Sequence, residues 1–156
     1  MLAICIEVSH LKGSGHLFRG LRLYRALCES GVECAMILNG DASAIEILRA
    51  HKVRYHIVDL RELEEHDSLR ALVERFAIRL WINDRLSTSI EHAHLLRLLQ
   101  VGSVHIDDIG PGAEFCDVNI GGLFHQMPLK GRRVIQGVEY LILSPELERK
   151  RKWRTE

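Results

Sequence analysis

Strand-like and helix-like segments alternate without a break across residues 2–108, and that rhythm leaves the chain few architectures to choose from. "LAICIEV" (residues 2–8) is a short apolar run rich in β-branched residues and reads as a buried strand. From Leu17 the apolar residues fall at 17, 21, 24 and 28, widened by Phe18 and Leu27, which is helical spacing; Gly31 then stands in the C′ position that closes a helix. Further strands are expected over residues 32–38, 53–60, 78–84 and 103–108. Between them lie the helices "SAIEILRAH", "HDSLRALVERF", with Asp67 or Ser68 as N-cap, and "STSIEHAHLLRLLQVG", capped by serine or threonine and ended by Gly102. Short connections between such units predict an α/β fold, a Rossmann-like parallel sheet with helices on both faces. Beyond Asp108 the rhythm changes. "DVNIG" is a short strand, "LFHQMPLKGRR" an irregular excursion and "EYLILSPEL" a further apolar segment closed by Pro145. One domain over residues 1–147 is expected, followed by a charged tail or linker over residues 148–156.

The 156 residues suffice for one real core, and 21 basic residues balance 21 acidic ones, so no overall field steers the chain toward nucleic acid or an acidic membrane. No stretch approaches the roughly 20 apolar residues of a membrane span, and the opening is too short and too soon charged for a secretion signal. The expected location is the cytoplasm, with Cys5, Cys28, Cys34 and Cys116 reduced and structural. His92 and His94 diverge on a helix, so no metal site is expected.

"GSGH" (residues 13–16) falls after the first strand and before the first helix, where an α/β sheet places ligands. The dinucleotide fingerprint G-x-G-x-x-G fails at Phe18, and no G-K-[ST] ending makes a phosphate loop. His16 is more informative. At the positive end of a helix dipole the ring tends to stay neutral and able to accept a proton; the alternative is a histidine that caps the loop or fills a gap. Asp107 and Asp108 end a strand on the same edge of the sheet, and either can orient the histidine, bind sugar hydroxyls or cap the turn at "IGPG". Asp59 and Asp84 border the same crevice or cap turns. Arg19, one helical turn after His16, can pair with an aspartate, contact phosphate or lie on the surface. Asn119 can reach the cleft or serve as a polar strand end.

Residues 13–38, "GSGHLFRGLRLYRALCESGVECAMIL", resemble the opening of the UDP-sugar hydrolases of pseudaminic acid biosynthesis and their spore-coat polysaccharide relatives. The pattern G-x-G-H-x-x-R of that family falls here on Gly13, Gly15, His16 and Arg19. "HIDDIGPGAEFCDVNI" is similar to its strand ending in paired aspartates, and "QGVEYLILSPELERKR" to its G-x-x-Y-x-x-L-x-P-E-F segment. "LWINDRLST" stands where the family has D-x-Y, with Asp84 matching and Leu86 replacing the tyrosine.

The resemblance implies the N-terminal half of a glycosyltransferase-B architecture, in which a second domain grips the UDP and this one carries the glycine loop. His16 is then the general base in a UDP-sugar hydrolase, and Gly13, Ser14, Gly15, Arg19, Asp84, Asp107, Asp108 and Asn119 line the substrate. No metal or other cofactor is implied. The partner is a UDP-sugar, met together with a C-terminal domain that the chain would precede. Two other readings stay open: a binding module without activity of its own, and half of a glycosyltransferase, in which His16 deprotonates a sugar hydroxyl instead of water.

Overall fold

The computed structural model describes residues 1–8, 15–122, 128–143 and 147. Seven strands form one all-parallel sheet in the order β3-β2-β1-β4-β5-β6-β7. They are β1 (Leu2–Ile6), β2 (Cys34–Leu38), β3 (Tyr55–Ile57), β4 (Leu80–Asp84), β5 (Gly102–Ile106), β6 (Val118–Gly121) and β7 (Val134–Gln136). Four helices cross between them: α1 (Gly15–Glu29), α2 (Ala42–Ala50), α3 (His66–Arg75) and α4 (Ile90–Leu98). The expected α/β class and its parallel sheet are thus present. β3 is shorter than the apolar run suggested, and β7 follows directly on the segment read as irregular. The charged tail lies outside the described residues.

The two-residue period of the strands divides the core between the two faces. Leu2, Ile4 and Ile6 of β1, with Cys34, Met36 and Leu38 of β2, pack beneath Leu17 and Leu21 of α1 and Ala44 and Leu48 of α2. Ala3, Cys5, Ile37 and Trp81 pack on the opposite face against Leu69 and Val73 of α3 and Leu96 of α4. With helices on both faces, β1 and β2 are apolar throughout, which is why β1 reads as a continuous run and not an alternating one, whereas β4 ends on buried Asn83 and Asp84.

Helix ends follow local chemistry. Asp41 caps α2 by accepting from the Ala44 amide, and Ser89 caps α4 by accepting from His92. α3 differs from expectation: its N-cap is Glu65, without a side-chain bond, and Asp67 falls inside the first turn. α1 closes on Gly31 at φ 77°, whose N–H donates to the Cys28 carbonyl while that of Val32 reaches Leu27, each at 2.9 Å. These two bonds define a Schellman end.

Gly20 explains how α1 lies so close to the sheet. A Cβ there would stand 2.9 Å from Met36 Cε and 3.2 Å from Ile6 Cγ2. The packing role of a third glycine, absent at Phe18, is filled two residues later. Among the described residues no helix is long and apolar enough to cross a membrane.

Candidate active site at the carboxyl edge of the sheet

The strand order turns back between β1 and β4: β1 leads outward to β2 and β3 on one side, and β4 begins the run on the other. In doubly wound sheets this switch point opens a crevice at the carboxyl ends of the strands. α1 starts there, after β1, and Asp84 ends β4 in register with Ile6. Two consecutive turns of chain thereby bring His16 and Asp84 together from positions far apart in sequence.

His16 Nδ1 lies 2.7 Å from Asp84 Oδ1. An ionised carboxylate only accepts hydrogen bonds, so the network assigns the proton to Nδ1. In the neutral ring Nε2 then carries the lone pair, and no described residue forms a hydrogen bond with it. The ring is largely covered, with 12% of its side-chain surface accessible, against 1% for Asp84.

Arg19 lies one turn along α1 and bridges Asp84 and Asp107. Its Nε donates to Asp84 Oδ2 at 2.8 Å, one terminal nitrogen donates to Asp84 Oδ1, and the other to Asp107 Oδ2 at 2.6 Å. The fork is bidentate on Asp84, the geometry that suits a guanidinium. Burial works to lower the Arg19 pKa, but the two carboxylates outweigh it and raise it, so the cation is locked in place.

The question left between Asp107 and Asp108 resolves through backbone conformation. Strand alternation would send residue 108 to the same face as Val104 and Ile106. Asp107 instead adopts φ 51° just after β5, which interrupts the alternation. Asp107 turns toward Arg19 and also accepts from the Gly122 amide at 3.0 Å. Asp108 turns away. It takes the Thr88 hydroxyl, accepts the Gly110 amide at 2.8 Å, and stands 2.6 Å from His105 Nδ1 without hydrogen-bond alignment. Burial raises the Asp108 pKa, but His105 and Thr88 more than compensate, leaving the carboxyl below its ordinary range. Neither residue is the direct partner of His16. That partner is Asp84.

The remaining candidates divide in the same way. Asn119 is fully buried and donates to the Asp108 and Lys130 carbonyls at 2.8 and 2.7 Å, so it holds loops together beneath the crevice. Asp59 caps the Arg61 amide at 2.9 Å. Gly13 and Ser14 lie outside the described residues. Gly15 begins α1 without a left-handed φ, and a Cβ placed there would meet no described residue within 4 Å. Leu86, in the tyrosine position of the resembled motif, adopts φ 51° and accepts from the Ile109 amide at 2.9 Å. His92 bonds to the Leu63 carbonyl and His94 lies edge-on to Phe115, so they do not converge. Among the described residues no three acidic, histidine or cysteine side chains are placed to hold a metal ion. Thr88 and His105 were not singled out by sequence; their only advance signal was polarity in segments otherwise destined for the core.

No protein-family model matches the chain, and no curated protein matches it. Solved structures do. MurG of Acinetobacter baumannii superposes with a TM-score of 0.63 at 10% identity, over 88% of this chain and 46% of that one. A glycosyltransferase from Rickettsia africae ESF-5 gives 0.51 at 9% identity, over 67% of this chain and 29% of that one. The chain therefore spans less than half the length of either. The likeness is one of fold: an α/β domain with a Rossmann-like parallel sheet.

Proposed function

We propose that this chain is the catalytic-histidine half of a two-domain enzyme that cleaves a UDP-sugar, with His16 as general base. The observation that carries the reading is the His16–Asp84 contact at the topological switch point, which leaves Nε2 as a proton acceptor. The motif resemblance to the UDP-sugar hydrolases supplies the substrate class and the setting in surface polysaccharide or nonulosonic acid synthesis.

In this mechanism Nε2 takes a proton from water as the water oxygen attacks the anomeric carbon. The bond from that carbon to the diphosphate oxygen breaks, and UDP leaves with the bonding electrons. Asp84 faces the imidazolium as it forms and holds the ring in its tautomer. Arg19 positions Asp84 and joins it to Asp107.

Charge supports a division of labour between domains. Two carboxylates, one guanidinium and a neutral imidazole sum to minus one, and the Arg19 fork is already engaged. Such a cluster suits a neutral sugar and an attacking water, and it repels a diphosphate. The nucleotide therefore belongs to a second domain, whose helix N-termini can carry its charge.

The glycosyltransferase named among the structural neighbours favours a second reading, in which the nucleophile is a sugar hydroxyl. Both are tested by UDP release from UDP-sugars with the full-length protein, with and without an added sugar acceptor. Release without acceptor supports the hydrolase, and release that requires it supports the transferase. Absence of release in either condition across a panel of UDP-sugars contradicts both.

A further inference from the structure

Cys28, in the last turn of α1, and Cys34, the first residue of β2, bring their sulfur atoms to 3.6 Å. Both ends of the connection are anchored. The Schellman closure on Gly31 fixes the exit from α1, and β2 starts in register with β1, where the Leu2 amide donates to the Glu33 carbonyl at 2.9 Å. The proximity is therefore built into the helix-to-strand turn. The two thiols are also unequal: Cys28 is exposed and Cys34 is 3% exposed.

We propose that Cys28 and Cys34 form a reversible dithiol–disulfide couple, closed by exchange with a low-molecular-weight disulfide. The Cys28 thiolate attacks one sulfur of that disulfide, giving a mixed disulfide on Cys28 and releasing one small thiol. Cys34 then loses its proton as its sulfur attacks Cys28 Sγ, and the second small thiol leaves. The protein is oxidised by two electrons and the small disulfide is reduced to two thiols. The order follows from access, because only Cys28 faces solvent. Burial, with Cys28 beside it, pushes the Cys34 thiol up to about 12, which suits a resolving partner and not an initiating nucleophile. From 3.6 Å the sulfurs need to close by about 1.5 Å to reach a covalent bond. Cys5 and Cys116 are buried, with thiols pushed up to about 12 by that burial, and they keep their expected structural role. The Cys28–Cys34 pair departs from it.

Twelve residues of helix separate Cys28 from His16, roughly 18 Å at 1.5 Å per residue. Closing the couple ties the far end of α1 to β2 and leaves the His16–Asp84 contact in place. The test is incubation of the reduced protein with oxidised glutathione, alkylation of remaining thiols, and cleavage by a glutamyl endopeptidase after Glu29 and Glu33. The fragments carrying Cys28 and Cys34 are expected to stay joined until dithiothreitol is added, with both cysteines lost to alkylation together. Cys28→Ser is expected to abolish the joined species and leave Cys34 alkylatable after denaturation. A stable glutathione adduct on Cys28 with Cys34 still free, a bridge between two molecules, or no reaction would overturn the proposal.

Discussion

Asp84 closes β4 with its carboxylate 2.7 Å from His16 Nδ1, and the same carboxylate receives both near nitrogens of Arg19. One aspartate thus orients the proposed base and anchors the only guanidinium described against it. The first expected consequence is kinetic. In the full-length protein His16→Asn should lower turnover about a hundredfold to ten-thousandfold, the usual range for general base catalysis, with little change in the melting curve. Asparagine keeps polarity near Asp84 but cannot take the proton. Unaltered turnover would remove His16 from the chemistry.

Arg19→Ala should be costly to the fold itself. Asp84 and Asp107 are each 1% exposed, and the substitution removes the cation that both buried carboxylates share. Removing one member of a buried charge cluster typically costs about 3–5 kcal/mol, and urea denaturation should read a loss of that order. Arg19→Lys should recover only part, since an ammonium cannot bridge both carboxylates with a planar fork. A loss below about 1 kcal/mol for the alanine variant would show the cluster to be solvated, as surface ion pairs are.

Much of this fold was legible in the alternation of apolar runs with helical spacing, and the site in part. β1 and β2 announced themselves because burial on both faces makes their residues uniformly apolar, and β4 by its apolar opening, Leu80 to Ile82. β7 did not, because a three-residue edge strand with exposed Val134 carries too little pattern. His16 and Arg19 stood out by motif and spacing. Their partner did not, because Asp84, Asp107 and Asp108 all end strands, and what separates them is the left-handed turn at Asp107. Aspartate tolerates that conformation better than most residues, so composition permits the turn without announcing it. The Cys28–Cys34 approach depends on how α1 returns to β2, which no local pattern encodes.

Glycines 15 and 20 should respond in opposite ways. Gly20→Ala places a methyl group against Ile6 Cγ2 and against Met36 Cε, the movable end of its side chain, so an overpacking cost of roughly 1–3 kcal/mol is offset in part by the roughly 1 kcal/mol that alanine gains over glycine within a helix. Gly15→Ala meets no described residue within 4 Å at the start of α1, so stability should hold or rise by up to about 1 kcal/mol. Chemical denaturation of both variants side by side checks the contrast. Equal losses would mean that α1 does not lie where Gly20 places it.

Stability should also fall on acidification through a buried histidine. Burial holds the His92 pKa down at about 4, against an ordinary 6.5, with the Leu63 carbonyl pulling weakly the other way. Between those values the unfolded chain binds a proton that the folded chain refuses, so stability is complete above about pH 6.5 and declines as the pH drops toward 4. The shift corresponds to about 3 kcal/mol across the window. His56, also lowered by burial, adds to the same slope. His92→Gln should flatten most of the decline when urea stability is followed from neutral to acid pH. An unchanged slope would place the acid sensitivity elsewhere.

General-base chemistry at His16 depends above all on which of its ring nitrogens bears the proton. Nitrogen-15 spectra of the histidine side chains, recorded on the alkaline side of imidazole titration and assigned by the loss of one signal pair in His16→Asn, read this directly. His16 is predicted to show a protonated Nδ1 and an unprotonated Nε2, and Asp84→Ala should abolish that preference. A His16 protonated on Nε2 in the unsubstituted protein would contradict the general-base assignment, since the nitrogen facing the crevice would then be a donor with no lone pair to accept the proton.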